Sequence, residues 1–337
     1  MNKDRKLEHI QMASDSRTEP SEQDQRFIYE PLLASHPRAT RVPFVFLGRN
    51  WDAPFWVSSM TGGTGISGTV NRNIARMCRE FGLGMGLGSC RKILFDKTHW
   101  ADFDVRAELG PDRPLWANLG VAQVAGLLKG DNEQAVVDLV GTLQADGLII
   151  HVNPLQEWFQ PEGDRIEQAP LDTIREFLDK TEVPVIVKEV GQGMGEQSLR
   201  QLLHLPLAAV EFAAYGGTNF SKLELRRDTP VVMDLYEPFT RIGQTALQMV
   251  NSVNRLSGEV DIQCREIIIS GGIKNYLDGY YLVSVSKVKA IFGMASAVLK
   301  YATEDYETLR QFMDHQIRAY RLAEAYLRIN PGYEERQ

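Results

Sequence analysis

The residues most able to do chemistry cluster at 151–157, His-Val-Asn-Pro-Leu-Gln-Glu, directly after the apolar run Leu148-Ile149-Ile150. In an extended segment successive side chains point to opposite faces, so His151 and Asn153 share one face. Pro154 cannot continue a strand ladder, which leaves Gln156 and Glu157 on the loop that follows. Four polar side chains in seven positions after that apolar run point to a functional rather than a structural role. The Glu157 carboxylate suits Mg2+, a hard cation that takes oxygen ligands and is often shared with substrate phosphates. A second set suits phosphate: Gly271-Gly272 followed by Lys274, with Gly293 and Thr218 at the ends of other segments. Glycines let backbone N–H groups approach a phosphate closely, and the lysine adds charge.

These groups need elements that bring them together. From Phe55 onward, short apolar runs near 55–59, 83–88, 114–118, 147–151, 184–188, 208–212, 266–270 and 288–293 alternate with segments of helical periodicity. That is the pattern of βα units. Eight of them predict an α/β chain folded as a closed (β/α)8 TIM barrel rather than an open, Rossmann-like sheet. Residues 131–144 read as a helix with Asp131 as its N-cap, and 219–239 as an insertion before a helix over 240–256. Residues 304–328 read as a closing C-terminal helix. The expected division is an N-terminal arm over 1–40 and one barrel domain over 41–337.

A barrel of this kind carries its site at the C-terminal ends of its strands. Nearly every expected end delivers glycine together with a hydroxyl, an amide or a charge. The loops after the seventh and eighth strands commonly make a phosphate site. A mononucleotide such as FMN would set its phosphate there and lay its ring across the mouth. Ser59, Met60, Thr61, Ser89, Asn118 and Lys188 are then placed to contact the ring, with Lys188 stabilising negative charge on its reduced form.

Composition narrows the class. A net charge of −7 and a pI near 5.5 argue against a general nucleic-acid binder. Cys78, Cys90 and Cys264 are scattered and form no CxxC pair, which implies reduced thiols in the cytoplasm. The polar first 26 residues contain no apolar signal segment, and no run of about 18 apolar residues is present. The expectation is a cytoplasmic protein with no membrane span.

The ordered motifs resemble those of the type 2 isopentenyl-diphosphate isomerases. H-V-N-P-L-Q-E at 151–157 resembles that family's H-L-N-P-L-Q-E, and Arg5-Lys6-x-x-His9 its R-K-x-x-H arm. S-M-T-G-G at 59–63, V-K-E-V-G at 187–191, G-G-T-N-F at 216–220 and S-G-G-I-K at 270–274 match in order. The resemblance implies interconversion of isopentenyl and dimethylallyl diphosphate, a 1,3-allylic proton shift in isoprenoid biosynthesis. It implies FMN kept reduced by NADPH and acting as acid and base, with Mg2+ on the diphosphate. By the same resemblance Arg5, Lys6, His9 and Gln156 bind the substrate. Glu157 holds the metal, and His151, Asn153, Gln156 and Glu224 form the catalytic set. FMN contacts fall on Ser59, Met60, Thr61, Ser89, Asn118, Lys188, Thr218, Gly272, Ile273, Lys274, Phe292 and Gly293. An arm so far from the first strand points to a neighbouring subunit, hence a homo-oligomer.

Three positions depart from the family pattern: Ala213 for a serine, Lys274 for an arginine, and Phe292 for a small residue. They bear on cofactor affinity more than on chemistry. Two rival readings are an FMN-dependent 2-hydroxy-acid oxidase and a barrel that binds flavin or diphosphate without turnover. The oxidases use a histidine followed by glycines, and none of the six histidines here precedes glycine. The intact 151–157 set argues against the second.

Overall fold

Runs such as Ile149-Ile150, Val185-Ile186-Val187 and Ile267-Ile268-Ile269 form strands buried on both faces, as a parallel barrel requires. The computed structural model describes residues 5–37, 43–59 and 62–333. Eight strands close into one parallel barrel: β1 (Phe55–Val57), β2 (Gly84–Gly86), β3 (Leu115–Gly120), β4 (Gly147–Val152), β5 (Val185–Glu189), β6 (Ala209–Glu211), β7 (Glu266–Ser270) and β8 (Lys289–Met294). They follow one another around the cylinder in chain order, and β8 pairs with β1 to close it through Phe292↔Phe55 and Gly293↔Trp56. All eight expected strands are present.

Two-residue alternation sorts the interior into layers. Trp56, Trp116, Ile149, Ile186, Ala209, Ile268 and Ile291 pack together inside the cylinder. A two-stranded antiparallel hairpin, Phe44–Phe46 with Arg49–Trp51, adds Phe46 and Trp51 to this cluster. Its turn places Leu47 at φ +49° and Gly48 at φ +67°, the left-handed pair that tight hairpins favour. Glu266 Oε2 accepts the Leu47 N–H at 2.6 Å. The N-terminal end of the barrel is thus plugged by aromatic side chains. Two residues further along the strands, the inward positions are Ser58, Asn118, His151, Lys188, Glu211 and Ser270, with glycines 86 and 293 between them. A polar layer therefore lies above an apolar one, on the side of the C-terminal mouth.

Helices cover the outside, and the closing helix runs from Tyr306 to Tyr326. The insertion after β6 holds helices Phe220–Leu225 and Pro230–Tyr236 and a 3-10 turn, Glu237–Arg241. The next helix begins at Ala246 rather than 240. A reciprocal cap fixes that start: Thr245 N donates to Gln248 Oε1 at 2.9 Å and Gln248 N to Thr245 Oγ1 at 3.3 Å. Asp131 is not an N-cap. It stands at φ +49° just past helix Val121–Lys129, where Asn132 N returns to Leu127 O at 2.9 Å. Its backbone terminates that helix, and the next, Gln134–Thr142, starts after Glu133. Residues 27–29 pair antiparallel with 327–329, fastening the chain's early segment to its end. Among the described residues no helix is long and apolar enough to cross a membrane.

Candidate active site

The strand ends surround a cleft of about 600 Å³. One wall is backbone against backbone. Gly271 (φ +85°) lies so close to the chain after β6 that a Cβ there would sit 2.2 Å from both Ala214 N and Ala214 O. A Cβ on Gly217 would meet Gly271 Cα and Gly272 N at 3.1 Å. Only glycine allows these two loops to stack. Lys274, Ser296 and Lys300 line the cleft too, so it holds two lysines as well as the glycine-rich backbone. On the floor, Lys188 is only 7 % exposed and its Nζ donates to Glu189 O at 2.7 Å. The Glu189 carboxylate accepts three consecutive N–H groups, from Gly191, Gln192 and Gly193 at 2.6, 2.7 and 2.9 Å. These fix the loop after β5, although burial pushes the Glu189 carboxyl above its usual range.

The 151–157 segment lies beside this cleft. His151 stands in register with Lys188, and its Nδ1 lies 2.7 Å from Asn118 Oδ1. Burial, and then the Lys188 ammonium, push the imidazole down to about 3. His151 is therefore neutral near pH 7, and with Nδ1–H given to Asn118 its Nε2 holds the lone pair. Helix Pro154–Phe159 begins at once. Asn153 Nδ2 donates to Glu157 Oε1 at 3.0 Å and to Gln156 Oε1 at 3.1 Å, and Gln156 Nε2 donates to Glu224 Oε1 at 3.3 Å. Glu157 Oε2 accepts the Asp164 N–H at 2.7 Å. Arg227 bridges Glu224 and Glu162. The bonds thus run outward from the Asn153 amide to a carboxylate at each end. Three buried atoms on the rim, Ser58 Oγ, Ser59 Oγ and Asn153 Oδ1, find no partner among the described residues. Buried polar atoms are rarely left so, and they mark where a bound group would be met.

The chain is 35% identical over 278 residues to the isopentenyl-diphosphate delta-isomerase of Rickettsia felis, covering 82% of this chain and 77% of the relative. It is 35% identical over 315 residues to that of a Synechococcus species, covering 92% and 87%. This chain belongs to the isopentenyl-diphosphate delta-isomerase family. No protein-family model matches it. The barrel of this isomerase is similar to that of a flavocytochrome b2 mutant with bound sulfite (TM-score 0.61, 14% identity, covering 89% of this chain and 72% of the other). It is also similar to that of a mandelate oxidase mutant with a monooxide FMN adduct (TM-score 0.56, 13% identity, 91% and 89%). At such identity the likeness speaks for the barrel fold.

Of the site residues expected from the isomerase's sequence, Ser59, Lys188, Thr218, Gly272, Ile273, Lys274 and Gly293 line the cleft. Asn153, Gln156, Glu157 and Glu224 come together in the network beside it, and His151, at the end of β4 just before it, is bonded to Asn118. Asn118 is buried beneath and holds His151. Ser89 is exposed beyond β2 and is not among the cleft-lining residues. The Phe292 side chain points away into the core, stacked on Tyr320 with ring centroids 5.6 Å apart. Met60 and Thr61 lie outside the described residues. Arg5, Lys6 and His9 sit on the exposed helix Arg5–Met12 and do not line the cleft of their own chain. Sequence reasoning missed Ser58, Glu211, Arg227 and Lys300. Strand alternation carries a signal for the first two, and helical spacing from Glu224 and Ser296 one for the others.

Proposed function

We propose that the cleft holds reduced FMN and that the 151–157 segment holds isopentenyl or dimethylallyl diphosphate for a 1,3-allylic proton shift. The observation that carries this reading is that Lys188, which lines the glycine-and-lysine cleft, stands in register with His151, from which the chain runs directly into the Asn153–Gln156–Glu224 network. The residues fit the cofactor. The two unpartnered serine hydroxyls offer hydrogen bonds to a heteroaromatic ring, the stacked glycine loops suit a phosphate, and Lys274 and Lys300 supply charge. Reduced FMN, when bound, supplies an acid–base couple beside the alkene, and NADPH is the external reductant in this reading.

This chain's own residues then have distinct tasks. The Lys188 ammonium, held by Glu189 O, favours negative charge at the floor of the cleft. His151, neutral and tied to Asn118, is a hydrogen-bond acceptor rather than a proton donor. Gln156 and Glu224 orient the prenyl chain's reacting end, and Asn153 Oδ1 is the acceptor left open to a ligand. The described residues contain no cluster of three acidic, histidine or cysteine side chains fit for a metal. Glu157 therefore suits a hydrated Mg2+ carried mainly by the diphosphate rather than a protein cage. Arg5, Lys6 and His9, on an arm spanning 1–40, reach the diphosphate in a neighbouring copy's 41–337 barrel, which makes the enzyme a cytoplasmic homo-oligomer.

The test is anaerobic incubation with isopentenyl diphosphate, Mg2+ and FMN, with and without dithionite. Dimethylallyl diphosphate is expected only with the reduced cofactor. Conversion at the same rate by flavin-free or oxidised enzyme refutes the reading.

A further inference from the structure

Glu211 is the one charged side chain of the polar layer that the reading above does not use. It is 0% exposed, stands in register with Lys188 on β5 and Ile268 on β7, and has two neutral donors. These are Trp56 Nε1 at 3.2 Å and Ser270 Oγ at 3.1 Å. Taking a carboxylate out of water costs several kcal/mol, so its position calls for a use.

Ser270 indicates one. A carboxylate only accepts, so the serine hydroxyl gives its proton to Glu211 Oε1 and turns its lone pairs to the Ala213 N–H, 2.9 Å away. Ser270 O takes the next N–H, that of Ala214, at 2.8 Å. Two successive amides are thus fastened to one residue. The first belongs to Ala213 at φ +43°, a conformation strained for alanine. Ala213 opens the loop that lines the cleft through Thr218. Its methyl side chain offers no hydroxyl to hold the turn in place of those bonds.

We propose that Glu211 is a positioning residue for the cofactor loop. Through Ser270 it holds the left-handed turn at Ala213, so that the backbone of 213–218 meets the cofactor in a single geometry. The inference rests on the FMN reading. It is tested by FMN dissociation constants, from fluorescence quenching, and by the visible circular dichroism of the bound flavin. Ser270→Ala, Glu211→Leu and Glu211→Gln are each measured alone and with Ala213→Gly. Glycine adopts the left-handed conformation without strain, so the relay has less to hold. Ser270→Ala and Glu211→Leu are each expected to raise the FMN Kd about tenfold, the scale of one buried hydrogen bond. With Ala213→Gly the loss falls to about threefold or less. Glu211→Gln, with its amide oxygen on the serine proton, sets its NH2 against Trp56 Nε1, a mismatch that lowers Tm but leaves the relay intact, so Kd stays within about threefold and the dichroism is unchanged. Equal losses in both backgrounds, or natural affinity in Glu211→Leu, overturn the proposal. If Glu211→Leu does not fold, the Ser270→Ala and Ala213→Gly pair decides the matter. A natural chain that binds no FMN at all is a different result, and refutes the cofactor reading together with the relay.

Discussion

Replacing Glu157 with glutamine tests whether the 151–157 segment is ordered by its carboxylates. In the natural chain Glu157 accepts on both oxygens, from Asn153 Nδ2 and Asp164 N. Asn153 passes its second proton to Gln156, and Gln156 donates to Glu224. The introduced amide can keep its oxygen on Asp164 N, but its NH2 then faces the Asn153 NH2. If Asn153 flips, Gln156 must flip as well, and its oxygen then faces the Glu224 carboxylate. Every arrangement leaves one contact mismatched, at about 1–3 kcal/mol. With about 2.1 cal/mol/K of unfolding entropy per residue over 337 residues, each kcal/mol moves Tm by about 1.4 °C. Glu157→Gln should therefore lower Tm by about 1.5–4 °C. Adding Glu224→Gln makes both ends amides, so the whole chain of bonds can reverse with none lost. The double variant should be more stable than the sum of the single effects by about 1 kcal/mol. Calorimetry of the four proteins checks this. Natural Tm in Glu157→Gln, or strict additivity in the double variant, refutes the directional network.

Three further outcomes follow from particular contacts. A Cβ on Gly279 would lie 2.6 Å from Phe292 Cγ and Cδ2, so Gly279→Ala should cost about 1–3 kcal/mol of overpacking in urea unfolding, with Phe292→Leu restoring part of it. The folded His151 imidazole titrates at about 3 against an ordinary 6.5, so the unfolded chain binds the extra proton between those values. This share of stability is complete above pH 6.5 and is lost as pH falls toward 3. Urea midpoints at about pH 4.5 and 7 should differ more in the natural chain than in His151→Gln. Lys274→Met should weaken FMN about tenfold or more, the scale of a charge-assisted hydrogen bond, and leave riboflavin affinity unchanged when both are titrated by fluorescence.

The eight strands were legible because barrel strands are buried on both faces, and apolar runs such as Ile267-Ile268-Ile269 announce that directly. The glycine-rich strand ends were legible for the same reason in reverse, as breaks that carry polar groups. Glu211 was not, because Ala-Val-Glu-Phe-Ala-Ala reads as one apolar run with a charge in it. The inward aim of that charge follows only once Ala209, two residues earlier, is known to lie in the apolar layer. Ala213 was hidden for another reason. No local propensity assigns alanine a left-handed φ, and tertiary bonds from Ser270 hold it there. Asp131 misled because a carboxylate before an apolar helix suits an N-cap, yet Asp also tolerates the left-handed region that ends the preceding helix. Glu211 and Ala213 are thus held by partners far away in sequence. The glycine-and-lysine cleft occupies the arc from β5 through β8 to β1, whereas the Asn153 network belongs to β4 and the insertion. Lys188 on β5 is the cleft residue in register with His151 on β4. The cleft and the network therefore adjoin across that pair of strands, and again along helix Phe220–Leu225, whose Phe220 lines the cleft and whose Glu224 accepts from Gln156.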